Sequence, residues 1–191
     1  MPDTPSAVVE GKIDRQYMAH LIDAGLLCHG TSSEYEHLGD DMEEYNVELN
    51  PSTETKTNIK GQTSFVHNGY AETSEASPYY ANTESKLFPK LQDIIDYRYK
   101  EDNCKTNAVE VHMWDGNETD GFVAWQQGCY VVPTSYGGDT SGYQIPFTVN
   151  YFGKRVKGIY KDKAFTPDGS AAPAALSEPA QTKTGSKSNL S

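Results

Sequence analysis

Residues 109–114 read VEVHMW, and the regular alternation along this stretch decides the fold class. On an extended chain Val109, Val111 and Met113 would lie on one side and the residues between them on the other, as on a β-strand. The same period of two recurs at residues 17–22, 122–132 and 145–151. The chain is therefore predicted to be mostly β.

Glycines separate the later strands. Gly137 and Gly138 predict a turn between the last two of these stretches, since glycine takes up turn conformations at little cost. Gly153 predicts a second turn, from residues 150–152 into 155–165, which would end the fold with a hairpin. Strands joined by short turns run antiparallel, so the C-terminal half is predicted to be an antiparallel sheet.

One segment has helical instead of extended periodicity. Its apolar residues fit one face of an α-helix, and they are Leu87, Phe88, Leu91, Ile94 and Ile95. Ser85 is a suitable N-cap and Pro89 falls within the first turn, so we expect one amphipathic helix of about four turns. A single helix cannot cover both faces of a sheet. The predicted fold is an antiparallel β-sandwich or barrel with one flanking α-helix.

A long region between residues 26 and 63 shows little periodicity. Only residues 43–49 alternate there, and the expected faces are Tyr45, Val47 and Leu49 against Glu44, Asn46 and Glu48. Residues 52–58 are polar and predict an extended arm or loop. Connections of this length are uncommon inside a compact domain and usually serve a function or an interface.

The chain has the length of one domain, at 191 residues, followed by a segment of different composition. We expect the folded domain to span residues 1–166, including the long loop at about 26–63. Residues 167–191 are rich in Ala, Pro and Ser and offer too little apolar surface to fold. They predict a flexible tail.

The N-terminal segment and the cysteines bear on the cellular compartment. Residues 1–12 lack the basic start and apolar run of a signal peptide, and no apolar stretch is long enough to span a bilayer. We therefore expect neither secretion nor a membrane anchor. Cys28, Cys104 and Cys129 are odd in number and have no CxxC spacing, which favours a reducing compartment and no disulfide framework.

Most of the net charge of −11 belongs to one stretch of sequence. Residues 16–55 contain nine carboxylates and no Lys or Arg, whereas the rest of the chain has 18 acidic and 16 basic residues. Such a surface repels nucleic acid, because binding DNA needs cations that displace counterions from its phosphates. The alternative is a solvated acidic face that serves only solubility.

The motifs predict no cofactor and no metal. Residues 115–121 begin like a calcium loop, but Asp120 stands where that loop needs glycine and Gln126 where it needs a bidentate Glu. Residues 137–142 are glycine-rich, yet no Lys and no helix follow to hold a phosphate. The five histidines have no metal-ligand spacing.

Two kinds of catalytic site could in principle be assembled. A nucleophile and its base could come from Ser64, His67 or Cys129, although no Gly-x-Ser-x-Gly elbow marks them. The paired carboxylates at 40–41 and 43–44 could act as general acid and base, but neighbouring side chains on an extended chain point apart. No motif marks out either site, and a solvated charged surface is the favoured interpretation of the paired carboxylates.

Several stretches, taken in order, carry a family resemblance. They are residues 38–45 (LGDDMEEY), 47–51 (VELNP), 53–56 (TETK) with Ile59, 87–88 (LF), 90–96 (KLQDIID), 135–147 (SYGGDTSGYQIPF) and 153–158 (GKRVKG). In their order and spacing, over most of its length, the chain resembles the major tail tube protein of long, non-contractile-tailed bacteriophages and related prophages. The MPDTP start and the Ala/Pro/Ser-rich end resemble that family too.

The resemblance implies a homo-oligomer in which hexameric rings stack into a hollow tube. It implies a structural virion protein of the phage tail, assembled in the host cytoplasm, with no active site and no cofactor. The implied partners are a tape measure protein and the tail terminator and distal tail proteins. DNA would pass down the tube without specific binding, and no membrane is involved.

The resemblance also gives the acidic residues a role. Lumen-facing carboxylates would let DNA slide, since each Lys or Arg in the wall would hold a phosphate. The candidates are Asp40, Asp41, Glu43, Glu44 and Glu48. The alternatives for these residues are the outer wall or a contact between rings.

Two other functions are retained as alternatives. The first is a carbohydrate-binding β-sandwich module, in which exposed Trp114, Trp125, Tyr79 and Tyr80 would stack on sugar rings. The second is a hydrolase that uses the clustered carboxylates, which would need a deep pocket and raised carboxyl pKa values.

Overall fold

The computed structural model describes residues 11–39, 42 and 44–169, and most of them lie in β-strands. In chain order the strands are β1 (Met18–Asp23), β2 (Tyr35–Leu38), β3 (Val47–Glu48), β4 (Pro51–Thr57), β5 (Thr63–Tyr70), β6 (Thr73–Ala76), β7 (Lys105–Asn117), β8 (Gly121–Pro133), β9 (Gly137–Asp139), β10 (Gly142–Gln144), β11 (Phe147–Lys161) and β12 (Ala164–Pro167). An α-helix, α1 (Leu87–Tyr97), lies between β6 and β7. Short 3-10 helices occupy Arg15–Tyr17, Leu27–His29 and Glu101–Cys104.

Eight of these strands form one antiparallel sheet. Its order is β2-β1-β7-β8-β11-β6-β3, and β12 pairs with the second half of β11. Two separate hairpins, β4–β5 and β9–β10, complete the strand pairing. The predicted fold class is confirmed: the protein is an antiparallel β fold with one flanking helix and an extended arm.

Helix α1 is shorter than the sequence predicts, with 11 residues in about three turns. Ser85, the predicted N-cap, lies one residue before the N-cap position, which is Lys86, but its hydroxyl accepts hydrogen bonds from the Leu87 and Phe88 N–H groups at 3.1 and 3.4 Å. Arg98 ends the helix in the left-handed conformation, with its N–H bonded to helical carbonyls. The helix buries Leu87, Leu91, Ile94 and Ile95 against the sheet.

The main core lies on the face of the sheet that α1 covers. Sheet residues there include Ile22, Ala108, Cys129, Val131, Phe147 and Val149. Strands β2 and β3 are at opposite ends of the strand order, and Tyr45, which precedes β3, is buried in the same core. We call residues 44–46 the crossing segment. The helix and the crossing segment therefore share one face.

A second, smaller core lies on the other face, around Leu21, Val109, Val111 and Ala124. The rings of Tyr35 in β2 and Tyr160 in β11 are 6.0 Å apart, although three strands separate β2 from β11 in the sheet. A flat sheet would hold strands so placed about 19 Å apart. The sheet must therefore curl around this core, which gives this half of the molecule a barrel-like shape.

Strand β11 corrects the predicted C-terminal hairpin. It runs without interruption from Phe147 to Lys161, and Gly153 sits at an irregularity in the pairing with β8, where the register shifts between Phe152 and Val156. The chain reverses later, at Asp162 and Lys163, which both have positive φ, and returns as β12. Glycine at 153, with φ 73°, bends a long strand instead of ending it.

Two other boundaries differ from the prediction. Gly137 and Gly138 lie in β9, so the turn falls at residues 140–141. Strand β12 includes Pro167, and the Asp168 N–H donates to the Lys157 carbonyl at 3.2 Å, so the sheet extends past residue 166. The tail predicted for residues 167–191 lies outside the described residues from position 170 onward.

No helix within the described ranges has the length and apolar character needed to cross a bilayer.

Candidate interaction surfaces

In the half of the sheet that packs against α1, the opposite face is covered by neither α1 nor the crossing segment. We call it the helix-free face. Residues directly opposite each other in an antiparallel ladder point to the same side. The register therefore builds three rows on this face: Lys105–Tyr130–Asn150–Thr73–Glu48, then Val132–Thr148–Glu75, then Asn107–Gly128–Phe152. All of these residues are half-buried or exposed. The helix-free face is a broad polar surface.

An aromatic side chain lies flat on this face. A Cβ atom on Gly128 would stand 2.7 Å from the ring of Phe152, so glycine leaves the space that the ring occupies. Tyr130 lies 5.0 Å from the same ring, and the Lys105 ammonium is 5.2 Å from its centre. The glycine inside the strand pattern was the sequence signal for this close approach, and our sequence analysis missed it.

The carboxylates of the helix-free face gather at its β6–β3 edge. Glu48 in β3 pairs with Thr73 in β6. Glu75 lies two residues after Thr73 in β6 and therefore points to the same side of the sheet. Both side chains are exposed. Of the predicted acidic candidates, Glu48 lies on this face, and Glu75 joins it from outside the acidic stretch.

Strand β3 is shorter than the predicted alternating stretch at 43–49. Tyr45 is buried while Glu44, Asn46 and Glu48 are exposed, as the alternation predicts, but Leu49 is exposed too. Only Val47 and Glu48 pair with β6, so Glu44 and Glu48 do not share a strand. Glu44 lies on the crossing segment and accepts a hydrogen bond from the Asn46 amide.

The acidic stretch does not form one continuous surface. Asp23 is fully buried and its carboxylate accepts the Glu34 N–H at 2.8 Å. Glu34 and Lys86 form an ion pair at 3.7 Å beside α1, whereas Glu54 pairs with Lys56 on the distant hairpin. Asp40, Asp41 and Glu43 lie outside the described residues.

The β4–β5 hairpin, residues 51–70, is a projecting arm. Every residue in its two strands is exposed except Gly69, which is half-buried. Asn58 closes the arm, because its side-chain oxygen accepts the N–H groups of Lys60 and Gln62 at 2.9 and 3.0 Å. Within the described chain nothing covers this arm.

The arm has two chemically different faces. Its register puts Thr53, Thr55, Thr57, Thr63, Phe65 and His67 on one side, and Tyr70 joins them with its ring 4.6 Å from that of His67. We call this side the threonine–aromatic face. The opposite side carries Glu54, Lys56, Ser64 and Val66, including the Lys56–Glu54 ion pair at 3.1 Å. The arm is therefore amphipathic in the manner of a half-buried strand pair.

Exposed aromatic residues also gather around the C-terminal end of α1, in a group that we call the tyrosine patch: Tyr97, Arg98, Tyr99, Tyr136 and Tyr143. Tyr97 stacks on Tyr99 at 5.3 Å, and the Arg98 guanidinium lies 5.7 Å from the Tyr136 ring. The Tyr143 hydroxyl donates to Gln92 on α1 at 3.0 Å. The patch belongs to the helix and to the β9–β10 hairpin beside it.

A charged network surrounds Glu110 on the helix-covered side, beyond the end of the helix. His112 donates to its carboxylate at 2.7 Å and Arg155 donates at 3.0 Å. Burial alone would raise the pKa of Glu110, but these two partners outweigh it and the pKa is lowered. Arg155 lies over Trp125 at 5.4 Å, and His112 stacks on Trp114 at 4.4 Å.

A shallow pocket beside this network contains buried polar groups. Tyr45, Ser74 and Tyr151 join their hydroxyls in a triangle with sides of 2.6, 3.2 and 3.3 Å. His20 lies against Tyr45, with ring centres 4.9 Å apart, and burial lowers the pKa of His20 to about 4. These groups fix the crossing segment to the sheet, so they have a structural use.

The residues considered for covalent catalysis are not brought together. Ser64 and His67 lie on opposite faces of the arm, and Cys129 is buried in the main core. Burial raises the pKa of the Cys129 thiol to about 12, which disfavours the nucleophilic thiolate. In the described part of the chain, no three His, Cys, Asp or Glu residues form a group that could hold a metal.

The aromatic residues considered for sugar stacking are likewise dispersed, and three of the four have another side chain against their ring. Tyr79 packs against Phe147 at 5.4 Å, and Tyr80 forms a β-bridge with Gln144. Trp114 and Trp125 lie on the other half of the sheet, each with a face covered by His112 or Arg155. The four side chains do not form one stacking platform.

No known protein-family model matches the chain, and no curated protein matches it either.

Proposed function

We propose that the protein is a non-enzymatic structural subunit that polymerises into stacked hexameric rings, forming the tail tube of a bacteriophage virion. The observation that carries the proposal is the arm, a two-stranded projection whose strands are exposed on both faces. An isolated two-stranded hairpin is marginally stable in water. In an assembly, a neighbouring subunit would cover the arm and so stabilise it.

The sheet offers a second element that an assembly would use. Its outermost strands, β2 and β3, have four and two residues, and β12 adds a third open edge beside β11. Unpaired edges invite association with other chains. Sheet edges joined between neighbours would close a ring, provided that the rotation between subunits divides a full turn.

The helix-free face is our candidate for the tube lining. It is broad and mostly uncharged, with Glu48 and Glu75 at one edge and Lys105 at the other. Neutral and acidic groups would let DNA pass without adsorption. Glu44, Asp40, Asp41 and Glu43 remain candidates for the lumen or for ring contacts.

The other parts of the proposal rest on the family resemblance. They are assembly in the host cytoplasm, residence in the virion, and association with a tape measure protein and with tail terminator and distal tail proteins. The chain would need no cofactor and no membrane.

Negative-stain electron microscopy of the purified full chain at rising concentration tests the proposal. We expect rings or tubes of uniform diameter, with a central channel. Analytical ultracentrifugation of the same samples gives an independent measure of mass. Particles that remain monomeric at millimolar concentration, or that bind a sugar array as monomers, would overturn the proposal.

A further inference from the structure

We propose that the threonine–aromatic face of the arm docks on the tyrosine patch of a second copy of this chain. This inference rests on the proposed function and names the contact by which one subunit would engage the next. In this contact the neighbour covers the threonine–aromatic face of the arm, and the opposite face remains exposed to water.

The composition of the two faces of the arm indicates which of them would be buried in a contact. Phe65 is 70% exposed and Tyr70 is 55% exposed, and both lie on the threonine–aromatic face. That face carries no Lys, Arg, Asp or Glu, so covering it would leave no carboxylate or ammonium without water. The opposite face contains the Lys56–Glu54 ion pair and is suited to solvent. Only the threonine–aromatic face combines apolar area with a low cost of burial.

The tyrosine patch has the composition of a docking site. Tyr97 and Tyr136 are 67% and 56% exposed, which is a large exposed fraction for aromatic side chains. Tyrosine and arginine dominate the energetic centres of protein interfaces. The patch is also held in place, since Arg98 lies under Tyr136 and Tyr143 is bonded to Gln92. Its side chains would lose little freedom on binding.

The positions of the two surfaces favour another copy as the partner. The arm continues from the Thr73 end of β6, where Asn50 donates to Thr73 at 2.9 Å. The tyrosine patch lies beyond the Ala76 end of β6, where Ala81 N–H donates to the Tyr143 carbonyl at 2.9 Å. An arm strand of eight residues reaches about 26 Å away from its root. The arm therefore extends away from the patch of its own subunit.

Two complementary surfaces at opposite ends of a subunit give a head-to-tail contact. When the rotation between the two subunits does not close a ring, such a contact repeats along an axis and leaves one arm and one patch free at the ends of the assembly. In the contact, threonine methyl groups and the Phe65 ring would cover tyrosine rings, and Arg98 would lie near added aromatic surface. The inference thus supplies an axial contact, separate from the edge pairing that would close a ring.

A matched pair of substitutions tests which face is covered. Thr55→Glu places a carboxylate on the threonine–aromatic face opposite Phe65, and Ser64→Glu places the same charge on the other face opposite Lys56. Both positions are exposed, so neither change should disturb folding. We expect Thr55→Glu to raise the concentration needed for assembly about tenfold or more, and Ser64→Glu to leave it unchanged. Equal effects of the two changes would overturn the inference.

Cross-linking tests whether the tyrosine patch is the surface on which the arm docks. The variant Thr55→Cys/Ser135→Cys, which keeps every residue of the tyrosine patch, is treated with a short bismaleimide, with Lys56→Cys/Ser135→Cys and the unsubstituted chain as controls. We expect ladders of covalently joined subunits from the first variant alone. Tubes in the microscope without these ladders would overturn the docking inference and leave the proposed function intact. A chain that stays monomeric would overturn both.

Discussion

The buried His20 couples the charge of one side chain to the stability of the whole fold. The residue is only 6% exposed, and burial holds its pKa at about 4, below the ordinary value of 6.5. Glu110 opposes this shift, whereas Arg15, His37 and Arg155 add to it. The neutral form is therefore the one that the fold accepts.

The sign of the pH dependence follows from this lowered pKa. The unfolded chain takes up a proton at His20 near pH 6.5, whereas the folded protein does so only near pH 4. Stability should be fully present above pH 6.5 and fall by about 3 kcal/mol as the pH drops to 4. In His20→Gln this part of the loss should disappear, as measured by urea unfolding at several pH values. His67→Gln, at an exposed position on the arm, should behave like the unsubstituted chain. An undiminished acid loss in His20→Gln would contradict the assignment.

At the scale of elements, we expect the arm to be needed for assembly into tubes but not for the folding of its own subunit. Replacing residues 51–70 by an Asn-Gly turn between Asn50 and Ala71 removes no buried residue, and the Ala71 N–H already donates to the Leu49 carbonyl at 3.1 Å. We expect the melting temperature to change by less than about 4 °C. Stacking into tubes, judged by sedimentation, should be lost, whereas rings closed by edge pairing should still form. A large fall in melting temperature would show that the arm stabilises its own subunit.

Some elements were readable in the sequence because local chemistry decides them. The alternation at 109–114 and 122–132 predicted β7 and β8, and apolar spacing with Ser85 predicted α1. Gly153 was misread, because a glycine that bends a paired strand and one that ends a strand look alike until the partner strand is known.

The surfaces were less readable than the strands. Glu48 and Glu75 come together only through the pairing of β3 with β6, which no local pattern reveals. Asp23 counted as surface charge in the sequence, but the fold buries it to hold the Glu34 N–H. The partner of the predicted arm at 52–58 was missed as well, because β5 has an extra residue, Asn68, which interrupts its alternation opposite Ser52 and Thr53.

At the scale of the whole molecule, the charge on the helix-free face should govern how an assembly meets DNA. Glu48→Lys/Glu75→Lys changes the net charge by +4 on that face, and Asp115→Lys/Glu118→Lys makes the same change at the exposed β7–β8 turn. We expect the first variant to assemble but retain DNA at low salt, with salt-dependent release. Under the proposed function, DNA ejection should slow in phage that carry this variant. If both variants retained DNA equally, net charge and not the helix-free face would be responsible.

The strand order has a consequence for biosynthesis. The sheet places β1, β2, β3 and β6 toward its margins, whereas its middle is built from β7, β8 and β11, which the ribosome makes later. A nascent chain that has reached residue 100 can form only isolated hairpins, because the strands that would join them do not yet exist. At that stage Tyr136 and Tyr143 have not been synthesised either, so the chain does not yet have a complete tyrosine patch. If the arm docks as we propose, a nascent chain can therefore offer its arm early, but it can receive the arm of another chain only after Tyr143 has been made.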